Sequence, residues 1–113
     1  LGVDRCLISD VTWQSDGVIS GGGVVISARD AHIPRQAYVQ QVQRIADEHD
    51  VHYQTEVEAS GSSDGREVQQ SPYPVDWCFV GPCIEQMHTS RERMSEYDLQ
   101  QMVRLYTLLF DQL

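Results

Sequence analysis

The sequence predicts an α/β fold: a layered domain in which a mixed β-sheet is flanked by helices. Strand-like and helix-like segments follow one another in the approximate order β-β-α-β-α-β-α, which is typical of layered α/β domains. The apolar run at residues 77–80 is nearly continuous, as expected of a strand covered on both faces. Because 113 residues are enough to bury one core, we expect residues 1–113 to form a single domain.

The first half of the chain predicts two buried strands and a helix. The apolar run at residues 6–8 predicts a strand that ends at Asp10. The three glycines before the strand at residues 24–26 indicate a bulge or a close approach of backbone. Residues 34–49 predict a helix that begins at Pro34. Proline lacks a backbone N–H, and this costs nothing in the first turn of a helix, where the N–H groups have no partner within the helix. Its apolar face consists of Tyr38, Val39, Val42, Ile45 and Ala46.

The second half predicts two strands, a short helix and a long loop. Residues 51–58 alternate as a half-buried strand, residues 66–70 form the short helix, and residues 75–80 form the second strand. Residues 84–94 are expected to form a loop that holds His88. In the alternating strand the side chains expected to face the core are Val51, Tyr53, Thr55 and Val57, and those expected to face solvent are His52, Gln54, Glu56 and Glu58.

The last predicted element is an amphipathic helix. Ser95 followed three residues later by Asp98 is a close variant of the capping box that begins many helices. Its predicted apolar stripe consists of Leu99, Met102, Val103, Tyr106, Leu109 and Phe110.

Composition excludes several classes of partner. Seventeen acidic against eight basic residues give a formal net charge of −9, which repels nucleic acid and anionic lipid. No run approaches the ~18 apolar residues of a membrane span. Three cysteines without a CxxC pair favour a reducing, cytoplasmic location over a disulfide scaffold. Cys78 lies within an apolar run, which is the wrong setting for a reactive thiolate.

Two residues at strand ends are candidates for metal binding. Asp10 ends the first buried strand, and such ends line ligand crevices in open α/β sheets. His88 follows a second buried strand, so neighbouring strands would bring a carboxylate and an imidazole to one edge. The residues alone favour the alternatives, in which Asp10 is a structural carboxylate that caps backbone and His88 is a surface histidine. The loop around Asp64 favours either anion binding or an ordinary turn.

The order of these motifs resembles the C-terminal third of the cobalt/zinc aminopeptidases that include glutamyl and deblocking aminopeptidases, the tetrahedral TET particles and members labelled endoglucanases. The matching segments are Asp10-Val11-Thr12, the glycine-rich strand at residues 21–27, Gln54-Thr55-Glu56-Val57, and the histidine loop at residues 87–92 with its following helix. Two segments depart from the family pattern. Ser62-Ser63-Asp64-Gly65 replaces Gly-Gly-Thr-Asp-Ala, and Glu85-Gln86 stands where an Arg-Tyr pair is usual.

The resemblance implies a zinc-peptidase-like catalytic domain with two divalent ions, zinc or cobalt, in the full-length enzyme. It implies that Asp10 binds one ion, that His88 binds the other, and that Asp64 lies near the cleft for a peptide substrate. The family site also needs a histidine, a bridging aspartate and a Glu-Glu pair, all upstream of Asp10, where this chain has only nine residues. The pair includes the general base, so we expect no catalytic residue here.

From the missing partners we expect this chain alone to be inactive and to hold neither ion tightly. We also expect exposed apolar surface near the first strand, and therefore self-association. Two alternatives remain open from the sequence: a stand-alone α/β binding or interaction module, and an inactive relative of the family.

Overall fold

A computed structural model describes residues 4–15, 17–29, 33–57, 65–70, 74–85 and 93–113. These residues form strands β1 (Arg5–Ile8), β2 (Thr12–Trp13), β3 (Val24–Arg29), β4 (Tyr53–Val57), β5 (Asp76–Gly81), β6 (Cys83–Glu85) and β7 (Arg93–Met94), and helices α1 (Gln36–Glu48), α2 (Gly65–Gln70) and α3 (Glu96–Gln112). The predicted helices and the longer predicted strands are all present. The loop predicted at residues 84–94 is partly wrong, because β6 and β7 pair with each other at its two ends.

The described strands form two sheets. The larger sheet has the order β1-β5-β3-β4, with parallel pairing at both outer positions and antiparallel pairing between β3 and β5. The smaller sheet has the order β2-β6-β7. The predicted mixed sheet is therefore confirmed. The two strands expected to be neighbours, β1 and β5, pair in parallel with Leu7 opposite Cys78.

The main core lies between the larger sheet and helices α1 and α3. All five residues of the predicted α1 face are buried, since the three-four spacing places them on one side of the helix. They pack with side chains from β3, β5 and α3, and the buried members of this core include Val24, Ile26, Cys78, Val80, Leu105 and Leu109.

The opposite face of the larger sheet is covered as well. Val25 of β3 packs with Val18 and with Cys83 of the smaller sheet. Trp77 and Phe79 pack with Ile8 on this face of β5, whereas Cys78 and Val80 belong to the main core. Successive side chains of β5 are thus buried on opposite faces, which confirms the interpretation of its continuous apolar run.

The apolar stripe predicted for α3 is only partly right: Leu109 is buried and Met102 and Tyr106 pack against the main core, but the other three members are exposed. The helix buries Asp98, Gln101, Leu105 and Leu109, while Leu99, Val103 and Phe110 are exposed by 44%, 58% and 78%. The polar members of the buried face have partners there: the Gln101 side chain accepts from His52 N at 2.9 Å, for example. The side of α3 that faces the sheet therefore combines apolar packing by Leu105 and Leu109 with long-range hydrogen bonds from its buried polar residues.

The alternation predicted for β4 also fails at the end of the strand. Glu56 is buried at 7% exposure, and Val57 is exposed at 72%. The pairing with β3 shifts register between Ser27 and Arg29, opposite this end of β4. Glu56 is buried because Thr12 of the smaller sheet lies against it.

Candidate functional site

Asp10 lies just beyond the carboxyl end of β1, on the exposed surface. Because β1 and β5 are parallel, the carboxyl ends of both strands meet at this edge of the sheet, which is where open α/β sheets bind ligands. Val11 N donates to Asp10 Oδ1 at 2.8 Å. Among the described residues none donates to Oδ2, so that oxygen can act as a ligand.

The turn that carries Asp10 packs tightly against the end of β5. A Cβ atom placed on Gly81 would lie 1.8 Å from the Asp10 carbonyl oxygen, so only glycine fits there. Two residues farther on, Thr12 N donates to Pro82 O at 3.0 Å. These contacts hold the backbone around Asp10 from one side.

A buried hydrogen bond holds the same turn from the other side. Thr12 Oγ1 donates to Glu56 Oε2 at 2.6 Å, and the two residues are 8% and 7% exposed. The bond joins β2 of the smaller sheet to β4 at the far edge of the larger one. The burial of Glu56 was not predicted, because strand alternation places this side chain in solvent.

A second buried carboxylate joins α3 to the glycine segment before β3. The Asp98 oxygens accept from Gly21 N and Gly23 N, each at 2.8 Å, and Asp98 has no exposed surface. Both glycines adopt positive φ, and a Cβ on Gly23 would lie 2.4 Å from the His52 carbonyl oxygen. The close backbone approach predicted for these glycines is therefore confirmed.

Asp98 was predicted only as part of a helix cap. Its backbone N–H does donate to Ser95 Oγ, at 3.3 Å, as the cap requires. Its side chain, however, binds residues 75 and 77 positions away in sequence. The signal available in the sequence was an acidic residue in the first turn of a helix, where the helix dipole favours negative charge; its burial could not be predicted from that.

The structure places only one of the predicted site residues. Asp10 is described, whereas His88 and Asp64 lie outside the described residues. Within the described ranges, no group of three or more His, Cys, Asp or Glu residues could hold a metal ion. Asp10 fits as a single carboxylate donor, and further ligands would have to come from other parts of the polypeptide.

The buried cysteines do not provide a nucleophile. Burial raises the pKa of Cys78 to about 12 and, with nearby acidic groups, that of Cys83 to about 11. Both therefore remain thiols near neutral pH, in agreement with the prediction for Cys78. In the part of the chain that the structure describes, no helix is long and apolar enough to cross a bilayer.

The overall arrangement is similar to that of solved aminopeptidases. The TET aminopeptidase of a marine sediment archaeon, a member of the Thaumarchaeota, is 19% identical, with a TM-score of 0.91 over 97% of this chain and 33% of that one. The TET1 peptidase of Pyrococcus horikoshii is 22% identical, with a TM-score of 0.83 over 94% of this chain and 32% of that one. An M18-family aminopeptidase from Thermotoga maritima is 19% identical, with a TM-score of 0.80 over 96% of this chain and 29% of that one.

These likenesses extend to the fold, and this chain spans about a third of the length of the solved structures that it matches. None of the curated protein sequences matches the chain significantly. A sequence profile of the M42 glutamyl aminopeptidase family, in contrast, matches residues 1–105, almost the whole chain. The chain therefore belongs to the M42 glutamyl aminopeptidase family.

Proposed function

We propose that this chain is the C-terminal part of the catalytic domain of a metal-dependent aminopeptidase, which removes N-terminal residues from peptides in the cytoplasm. In this proposal residues 1–113 are the C-terminal fragment of that catalytic domain, and they form a single domain. The observation that carries the proposal is the position of Asp10 in this M42-family chain: it lies just beyond the carboxyl end of β1, and its Oδ2 accepts no hydrogen bond from the residues that the structure describes.

Asp10 and His88 would each hold one of two divalent ions, zinc or cobalt. Bound to the site, such ions lower the pKa of a water molecule and polarise the peptide carbonyl. Asp10 would contribute Oδ2, while the Val11 N–H holds Oδ1 and fixes the plane of the carboxylate. His88 would contribute a neutral imidazole nitrogen. Asp64 would lie beside the peptide in the substrate cleft.

The isolated chain is expected to be inactive. A carboxylate and an imidazole cannot hold two ions in a bridged geometry, and a water molecule also needs a general base to accept its proton. The remaining ligands and the base are expected in the two thirds of the fold that this chain does not span.

Replacing Asp10 with asparagine in the full-length enzyme is expected to lower kcat/KM for aminoacyl p-nitroanilides at least about 100-fold, because a neutral amide is a poor metal ligand. Asp111→Asn, an exposed change on α3, is the matched control and is expected to leave the rate unchanged. Equal rates for both variants would exclude Asp10 as a ligand. An inactive wild-type enzyme would instead favour an inactive family relative.

The outer face of α3 supports self-association of this chain with a second copy. Leu99, Val103 and Phe110 are exposed on one side of the helix. The stripe continues into a surface cavity of about 460 Å³ that Phe110 and Leu7 help to line, beside β1. Among the described strands β1 ends the larger sheet, and unpaired edges favour association. The similar TET1 peptidase assembles into a tetrahedron or an octahedral shell.

We expect light scattering to show oligomers of the 113-residue chain and a shift towards monomer in the double variant Val103→Ser, Phe110→Ser. Removing two exposed apolar side chains reduces the area that association can bury. Val57→Ser removes a valine that is 72% exposed but lies on β4, and it serves as the control. A monomeric wild-type chain at high concentration would contradict the proposal.

A further inference from the structure

We propose that Glu56 is a positioning residue for the metal site: it holds Thr12, and through Thr12 it fixes the turn that presents Asp10. This inference rests on the proposed function of Asp10. The link is the 2.6 Å hydrogen bond from Thr12 Oγ1 to Glu56 Oε2, which joins residues 44 positions apart.

Glu56 departs from the burial pattern expected of a strand. The residue is 7% exposed at the end of β4, while the adjacent apolar Val57 is 72% exposed. Burying a carboxylate is costly unless hydrogen bonds compensate for the lost water. This arrangement, with the acidic side chain buried and the apolar one exposed, is the reverse of the pattern expected in a strand. Such exceptions are concentrated at functional sites.

Thr12 is well suited to transmit this constraint to Asp10. Its backbone is fixed by the 3.0 Å bond from Thr12 N to Pro82 O and by pairing with Cys83 in the smaller sheet. Its side chain is fixed by Glu56. Only Val11 lies between Thr12 and Asp10, and the Val11 N–H itself binds the Asp10 carboxylate.

Loss of the Thr12 hydroxyl would remove the hydrogen bond that ties β2 to the Glu56 carboxylate. We expect the turn that carries Asp10 to be held less firmly against β4 as a result. Small displacements of a ligand are costly, because metal coordination requires defined distances and angles. Changing a residue that orients a metal ligand typically costs 10- to 100-fold in metal affinity or activity.

The test compares Thr12→Val, Thr12→Ser and Thr55→Val in the full-length enzyme. Thr12→Val keeps the shape but removes the donor, and Thr12→Ser keeps the donor. Thr55→Val is the matched control: Thr55 precedes Glu56 on β4 and is exposed, and among the described residues its hydroxyl accepts from Gln43 Nε2 at 3.2 Å. The readouts are Co²⁺ affinity by competition with a chromophoric chelator, the visible spectrum of bound Co²⁺, and the midpoint of thermal unfolding.

We expect Thr12→Val to weaken Co²⁺ binding about 10- to 100-fold and to alter the cobalt spectrum. Thr12→Ser should restore both, and Thr55→Val should change neither. Unchanged affinity and spectrum in Thr12→Val, whatever its unfolding midpoint, would overturn the inference. Asp10→Asn separates this result from failure of the proposed function: if Asp10→Asn loses an ion and Thr12→Val does not, only the role of Glu56 is wrong.

Discussion

Replacing Asp98 with asparagine is expected to lower the free energy of unfolding by about 3 kcal/mol. Each Asp98 oxygen accepts one glycine N–H at 2.8 Å in a fully buried position. Asparagine keeps one acceptor but turns an NH₂ donor towards the other N–H. The substitution therefore replaces one charge-assisted hydrogen bond with two N–H groups that face each other. A hydrogen bond to a charged group contributes about 1.5–3 kcal/mol to the free energy of unfolding.

Urea unfolding monitored by circular dichroism measures this loss. Asp111→Asn, at an exposed position in the last turn of the same helix, is the control and should change stability by less than about 0.5 kcal/mol. Equal stabilities of the two variants would show that the contacts between Asp98 and the two glycines do not stabilise the fold.

Replacing Gly81 with alanine is expected to destabilise the protein by about 3 kcal/mol or more, which is the upper range for overpacking a tight site. The new methyl group would lie 1.8 Å from the carbonyl oxygen of Asp10 and 2.9 Å from its carbonyl carbon. Both atoms belong to backbone, so the turn itself must move. We therefore expect Gly81→Ala to displace Asp10 as well as to lower stability.

Thermal unfolding tests this expectation, with Gly17→Ala as the control. A Cβ on Gly17 meets nothing within 4 Å, and its φ is not positive, so alanine there should be neutral or slightly stabilising. If Gly81→Ala unfolds at the same temperature as Gly17→Ala, the close packing of β5 against the Asp10 turn is wrong.

The sequence predicts those parts of the fold that depend on local periodicity. The buried face of α1 follows from the three-four spacing of its apolar residues, and all five members are buried. The neighbouring position of β1 and β5 agrees with their short apolar runs, as does the location of Asp10 at a strand end. In each case the pattern lies within one segment, and burial of the apolar side chains decides the outcome.

The parts that were wrong depend on distant partners. The inward direction of Asp98 on α3 depends on glycines 75 and 77 positions away, whose N–H groups its oxygens accept. The inward direction of Glu56 is set by Thr12, 44 positions away. Periodicity treats acidic side chains as solvent-facing, so it could not reveal that two of them join elements far apart in the sequence.

The most direct test of the proposed site is the metal content of the full-length protein, measured by mass spectrometry after loading with Zn²⁺ and removal of excess ion. We predict two ions per chain in the wild type and one in Asp10→Asn, because the ion held by Asp10 loses a charged ligand. His88→Gln should likewise retain one ion. Two tightly bound ions in Asp10→Asn would contradict the assignment of Asp10 as a ligand and with it the proposed metal site.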